Sequence, residues 1–273
     1  MEGFSTGSQY YMLILGRMFG LFFTAPVFST QMVPYRIRIA LSLAMAAILY
    51  PVSVNYLGEL PEGAIPFALA VFSQITVGII IGFMIMIVFS SFQIAGEIFS
   101  VQMGISFSEV LDPQSQVSVP ILGTLKNMIA ILVFLGVDFY MDGFTGSAYL
   151  HMVRALGFSF QNIPAFSLDL QTTGGVVQYL DEAFGVMFVT ALKIGIPIIG
   201  IVFISSVALG LLGRAAPQMN LMNMGIQINI IVGLLVILTV TPVLIPLMRD
   251  AFVIIFYKLG DMYRHWPEVS HAL

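Results

Sequence analysis

The sequence predicts an all-α integral membrane protein with about six hydrophobic segments, organised as a single domain over residues 1–273. Two observations carry that prediction. Of the 273 residues, 59% are hydrophobic and only 9% charged, against roughly a quarter charged in an ordinary soluble domain. The charges also punctuate the chain, leaving long uncharged runs between them. A soluble enzyme is excluded on composition, and a formal charge of -4 leaves no basic face for nucleic acid. Cysteine is absent, so there are no disulfides, thiolate metal sites or cysteine nucleophiles.

The runs between charges give the segments. Eighteen uncharged residues separate Arg17 from Arg36, and twenty separate Arg38 from Glu59 and Lys193 from Arg214; each suffices to cross a bilayer. Two runs, Gly63 to Gly96 and Ala215 to Met248, are 34 residues long, about 51 Å as straight helix against a hydrocarbon core of about 30 Å. Val117 to Val137 is apolar except for Lys126. The expected segments lie near 10–30, 38–57, 65–92, 117–137, 184–212 and 222–247. The start, with Glu2 and no basic region ahead of the apolar run, does not read as a cleavable signal peptide.

Arg17 lies inside the first segment. A central arginine costs ~2.5–3.5 kcal/mol on an insertion scale, while each surrounding Leu, Ile, Phe or Val returns only ~0.3–0.6. A partner within the protein is therefore expected for it. Orientation by Lys and Arg places the Arg36–Arg38 connection in the cytoplasm, and Glu59, Glu62 and the acidic stretch 138–182 outside. Six simple crossings then put Arg249, Lys258 and Arg264 on the wrong side. Either one of the 34-residue runs is a hairpin, or the helices do not cross a bilayer in the ordinary way.

Inside the runs, Gly16 with Gly20 and Gly78 with Gly82 form GxxxG pairs, a spacing that lets helix backbones approach closely, within one chain or between subunits. Gly195, Gly200, Gly210 and Gly213 continue the habit. Asn220, Asn223 and Gln227 share one helix face, with Gln218 and Asn229 opposite. Unpaired amides in hydrocarbon cost several kcal/mol, so these groups bond between helices or line an aqueous path. Seventeen methionines, three of them at 219, 222 and 224, fill gaps or form a deformable seal. Glu97 needs a counter-charge if buried; Lys126, Lys193 and Arg17 are the candidates.

From Glu97 to Val119 the chain reads EIFSVQMGISFSEVLDPQSQVSV, with turn-forming residues among apolar ones. It reads as a loop, either a plain connection or a plugging element enclosed by protein. The stretch 138–182 mixes aromatic and polar residues as an interfacial or partner-covering segment would. No phosphate-binding GxxxxGK[ST], HExxH or GxSxG is present, His265 and His271 lie in the tail, and His151 has no ligand partner nearby. No enzyme activity, metal or cofactor is expected.

Two stretches are specific. Leu209 to Ile228, LGLLGRAAPQMNLMNMGIQI, resembles the signature of the FliR family of flagellar biosynthesis proteins and its virulence-secretion relatives, the SctT group. Gly96 to Gln116, GEIFSVQMGISFSEVLDPQSQ, is similar to the central segment of that family, and the run starting at Arg17 agrees as well. The resemblance implies a structural channel subunit of the export gate of a type III secretion system, the flagellar kind rather than the injectisome kind, in the bacterial inner membrane at the flagellar basal body. It implies partners of the FliP, FliQ, FlhB and FlhA types, unfolded export substrates, and helical hairpins raised from the bilayer plane, which would resolve the orientation conflict. Within such a gate, the loop residues Gly104, Ile105, Ser106, Phe107, Ser108, Asp112 and Pro113 are expected to contribute to a plug, and Arg17, Glu97, Arg214, Pro217, Gln218, Asn220 and Asn223 to conduit or subunit packing. A small-molecule secondary transporter, with its substrate site around the broken sixth segment, is the alternative.

Overall fold

The computed structural model describes residues 6–29, 33–104, 121–163, 170–215, 221–264 and 266, with side chains at 121–126, 170–174 and 221–223 outside the description. In chain order the elements are α1 (Thr6–Thr24), α2 (Pro26–Ser29), α3 (Tyr35–Ser53) with a following 3-10 turn (Val54–Tyr56), α4 (Ala64–Gln102), α5 (Ile121–Gly136), β1 (Asp138–Met141), β2 (Phe144–Ser147), α6 (Ala148–Asn162), α7 (Leu170–Ala215) and α8 (Leu221–Arg264). The protein is an all-α membrane protein bearing one small hairpin.

The helices stop where their residues cannot continue them. Pro34 precedes α3, where its missing N–H costs nothing. After α3 and its 3-10 turn, Gly58 at φ 70° and Gly63 at φ 100° turn the chain toward α4 through a conformation that a Cβ disfavours. Between Ala64 and Gln102 no breaker intervenes after Pro66 in the first turn, and α4 runs for 39 residues, ~58 Å. Of the two alternatives, a hairpin inside a 34-residue run finds no turn among the described residues: α4 covers the first run as one helix, and α8 covers the second from Leu221 onward. Continuous backbone hydrogen bonding outweighs the local cost of Pro242 and Pro246 inside α8. Just ahead of Pro242, Thr239 and Thr241 donate back to Leu235 O (3.1 Å) and Ile237 O (2.6 Å).

Among the described residues four helices are long and apolar enough to cross a membrane: Tyr35–Tyr56, Ala64–Gln102, Gly175–Ala215 and Met224–Arg264. Within the chain 61% of the apolar window of α4 is buried, but only 22% of that of α7 and 17% of that of α8. The last two leave Ile204, Leu211, Ile231 and Leu238 exposed, apolar faces that water would not tolerate.

The β-hairpin was not expected from the sequence. Asp138 stands opposite Ser147 and Met141 opposite Phe144, joined by a two-residue turn at Asp142 and Gly143. Both turn residues have positive φ, 49° and 77°, the type I′ geometry that matches strand twist and selects Asp-Gly. That dipeptide, between FYM and FTGS, was the available signal.

The chain forms two compact units, one of residues 1–88, 138–185 and 252–273, the other of residues 89–137 and 186–251. In the first, Leu13, Ile14, Met18 and Leu21 of α1 are fully buried. Tyr10 and Tyr11 fasten α1 by donating to Gly58 O (2.9 Å) and Leu43 O (3.0 Å). In the second, Phe89 lies edge-on to Phe92 and Phe134 at 6.3 and 5.8 Å between ring centroids.

Candidate functional site

The first unit is organised by a close crossing of α1 with the first half of α4. A Cβ at Gly20 would meet Ile75 O, and one at Gly78 would meet Arg17 O. At Gly82 it would lie 2.9 Å from Thr24 Cβ, and at Gly16 3.3 Å from Val71 O. The paired GxxxG motifs thus serve packing within this chain: each lets the other's backbone in.

That crossing places Arg17 at the centre of the unit with no solvent exposure. Its Nε donates to Gln74 Oε1 (2.8 Å), Nη1 to Ser159 Oγ (2.9 Å) and Nη2 to Ile163 O (3.2 Å). The guanidinium also lies 4.0 Å from the centre of the Phe160 ring. Ser159 can accept from Arg17 because its own hydroxyl donates to Leu156 O (2.7 Å). Among the described residues none of these partners is a carboxylate, so the charge is held by a neutral cage and a ring face. The rigid fork ties α1, α4 and the end of α6 together.

In the second unit, α7 and α8 are joined by polar groups. Ser205 Oγ donates to Asn229 Oδ1 (3.0 Å), and Asn229 Nδ2 donates to Ser206 Oγ (3.1 Å). Asn229 therefore bonds between helices, while Gln227 is exposed. Met103, fully buried at the end of α4, fills the place a side chain would take at Gly233 of α8. Gly104 follows at φ 77°, where a Cβ would lie 3.7 Å from Ile226. By contrast, a Cβ at Gly200 or Gly210 meets open space. Asn229→Leu should lower stability by about 0.6–2 kcal/mol, the range of polar helix contacts in membrane proteins; a drop of a few degrees in Tm for the detergent-purified chain checks it, and an unchanged Tm would remove the bridge from the account.

Several expected site residues are placed by the structure. Glu97 is exposed within α4 rather than at the start of a loop, because the helix continues to Gln102. It forms no ion pair among the described residues, and neither does the exposed Lys193. Arg214 is exposed in the last turn of α7. Ile105, Ser106, Phe107, Ser108, Asp112, Pro113, Pro217, Gln218 and Asn220 lie outside the described residues, as does the side chain of Asn223. Sequence reasoning singled out Arg17 but missed Gln74, Ser159 and Phe160, which are 57, 142 and 143 positions away. The amide of Gln74, beside Ser73 and Thr76 in an apolar helix, was the available signal.

Comparison with known proteins decides the family: residues 9–254 match bacterial export proteins, family 1. The chain belongs to that family. Its relatives include the flagellar biosynthetic protein FliR of Escherichia coli K12, 29% identical over 262 residues that cover 94% of each chain. The FliR of Pectobacterium carotovorum is 27% identical, covering 90% of this chain and 89% of its own. That of Bacillus subtilis is 25% identical, covering 89% and 90%. As a member of the bacterial export proteins, the chain keeps both the Arg17 cage and the α7–α8 bridge inside the matched region.

Proposed function

We propose that this protein is a structural channel subunit of the flagellar type III export gate, and that it helps form and close the conduit for unfolded flagellar proteins across the inner membrane. One observation carries the reading: the match to flagellar biosynthetic FliR proteins runs over nearly the whole of both chains. The physical features agree with it. The long helices α7 and α8 keep most of their apolar windows unburied within the chain, as subunits covered by neighbours and lipid would. The neighbours are proteins of the FliP, FliQ, FlhB and FlhA types, at the flagellar basal body. The flagellar biosynthetic relatives do not favour the small-molecule transporter alternative.

The assembly reading is tested by purifying tagged chain from cells that make the flagellar basal body. Co-purification with FliP- and FliQ-type proteins is expected; a chain that purifies alone as a stable monomer and moves a small solute would overturn it. The plug assignment at residues 104–118, with Gly104, Ile105, Ser106, Phe107, Ser108, Asp112 and Pro113, has its own measurement. Deleting residues 106–116 should leave assembly intact and raise ion leakage across the membrane several-fold. An assembled gate of unchanged tightness would reject the plug.

A further inference from the structure

The first unit contains a cleft of about 420 Å³, lined by His151, Arg154, Gln161, Asn162, Tyr263 and Arg264 and walled by Phe158 and Phe256. Its volume lies in the ~300–1,000 Å³ range of small-ligand pockets. We propose that this cleft binds the glycerol-phosphate head group of an anionic phospholipid, an assignment that stands apart from the export reading.

The lining divides into donors and acceptors that such a head group complements. Arg154 donates to two backbone carbonyls, Met141 O (3.3 Å) and Asp142 O (3.1 Å), and lies over the Phe144 and Phe158 rings at 5.4 and 5.2 Å. Those partners orient the guanidinium without neutralising it, and further N–H groups remain for phosphate oxygens. Arg264 is exposed and stands 3.7 Å from Asp261, a pairing too loose to withhold it from a closer anion. Tyr263 is buried, and its hydroxyl has no hydrogen-bond partner among the described residues.

His151 supplies an acceptor. Only 1% exposed, it is stacked on Phe139 at 4.3 Å, and its Nε2 lies 3.2 Å from Phe139 O. In the tautomer whose Nε2–H donates to that carbonyl, Nδ1 is an acceptor, and it is buried with no hydrogen-bond partner among the described residues. Together with the Asp142 carboxylate it can take the hydroxyls of a glycerol head group. A bare anion would use the arginines and leave both acceptors idle.

The position of the cleft favours a lipid source. It lies at the C-terminal end of α8, where the span Met224–Arg264 carries Lys258, Asp261 and Arg264 in its last two turns. Tyr140, Tyr149 and Tyr257 are exposed in the same unit, while the only tryptophan, Trp266, is buried two residues after Arg264. Exposed tyrosines concentrate at membrane–water interfaces.

Gly260 lines the cleft, and a Cβ there meets open space. Gly260→Leu therefore narrows the cleft without displacing packed atoms, and it replaces glycine by a better helix former. The test titrates the full chain in detergent with short-chain phosphatidylglycerol, phosphatidylcholine or soluble glycerol phosphate. It reads Trp266 fluorescence and lipid adducts by native mass spectrometry. A saturable response to phosphatidylglycerol is expected, weakened about tenfold in Arg264→Gln by loss of a charge-assisted hydrogen bond. It should vanish in Gly260→Leu while Tm holds. Equal binding of phosphatidylcholine, undiminished phosphatidylglycerol binding by Gly260→Leu, or glycerol phosphate binding as tightly as the lipid would each overturn the assignment.

Discussion

Gly78→Leu is expected to abolish accumulation of folded protein and, with it, flagellar assembly in a strain that depends on this chain. Even a single methyl at Gly78 would occupy the position of Arg17 O, and a backbone carbonyl cannot rotate away as a flexible side chain can. Overpacking in a core costs typically about 1–3 kcal/mol when neighbours yield. Here the neighbour is the main chain of α1, so separation of the two helices is the only relief. Separating them would also dismantle the contacts at Gly16, Gly20 and Gly82 on the same seam. Against a total stability of about 5–15 kcal/mol, loss of the whole seam, well above 3 kcal/mol, exhausts the margin of a chain at the lower end of that range. The controls are Gly200→Ala and Gly210→Ala, where the added methyl meets open space. Each should leave the size-exclusion profile of the detergent-purified chain unchanged and hold or raise its Tm, since alanine favours helix by up to about 1 kcal/mol. A monodisperse Gly78→Leu chain with the Tm of the parent would show that the crossing is not needed for folding.

This contrast marks what the sequence could and could not disclose. The GxxxG spacing announced a close approach but not its partner: neither Gly16–Gly20 nor the wider-spaced pair Gly195–Gly200 names in one dimension what faces it. Only the first of these meets a facing backbone; beside Gly195 lie Ile199 and Phe99 side chains, and beside Gly200 nothing within 4 Å. Helical character was legible because apolar runs uninterrupted by charge leave few alternatives in a membrane. Helix ends were less so: Glu97 and Ser100 look like the start of a loop, yet α4 extends to Gln102 before Gly104 turns it. Ser100 is accommodated there by donating to Gly96 O (3.2 Å) in its own helix. The Asp142-Gly143 turn was readable in principle but hidden by a prior favouring helix throughout. Long-range polar partners were not readable at all. Nothing in the spacing of Arg17, Gln74 and Ser159 encodes that a single guanidinium reaches both side chains.

The cage around Arg17 makes a sharper prediction, because charge and shape pull in different directions. Burying the guanidinium costs several kcal/mol after relaxation. Hydrogen bonds to a charged group return about 1.5–3 kcal/mol each, and a desolvated ring face about 2. Three such bonds and the Phe160 ring roughly offset the burial. Arg17→Met removes the charge and its desolvation cost together, but leaves Ile163 O and Gln74 Oε1 short of their donor. A net loss of about 2–4 kcal/mol follows, from unsatisfied acceptors at about 1–3 kcal/mol apiece less the relief from removing the charge. Arg17→Lys keeps the charge and its cost yet offers a single ammonium where the acceptors are spread around a planar fork. It should therefore be at least as unstable as Arg17→Met, against the usual ranking of conservative substitutions. Tm of the two variants in one detergent decides the point, and a double-mutant cycle with Ser159→Ala apportions it: the serine change should cost less in the Arg17→Met background than in the parent. A lysine variant clearly more stable than the methionine variant would mean that the site needs positive charge rather than the fork, and would redirect attention to a carboxylate brought by another subunit.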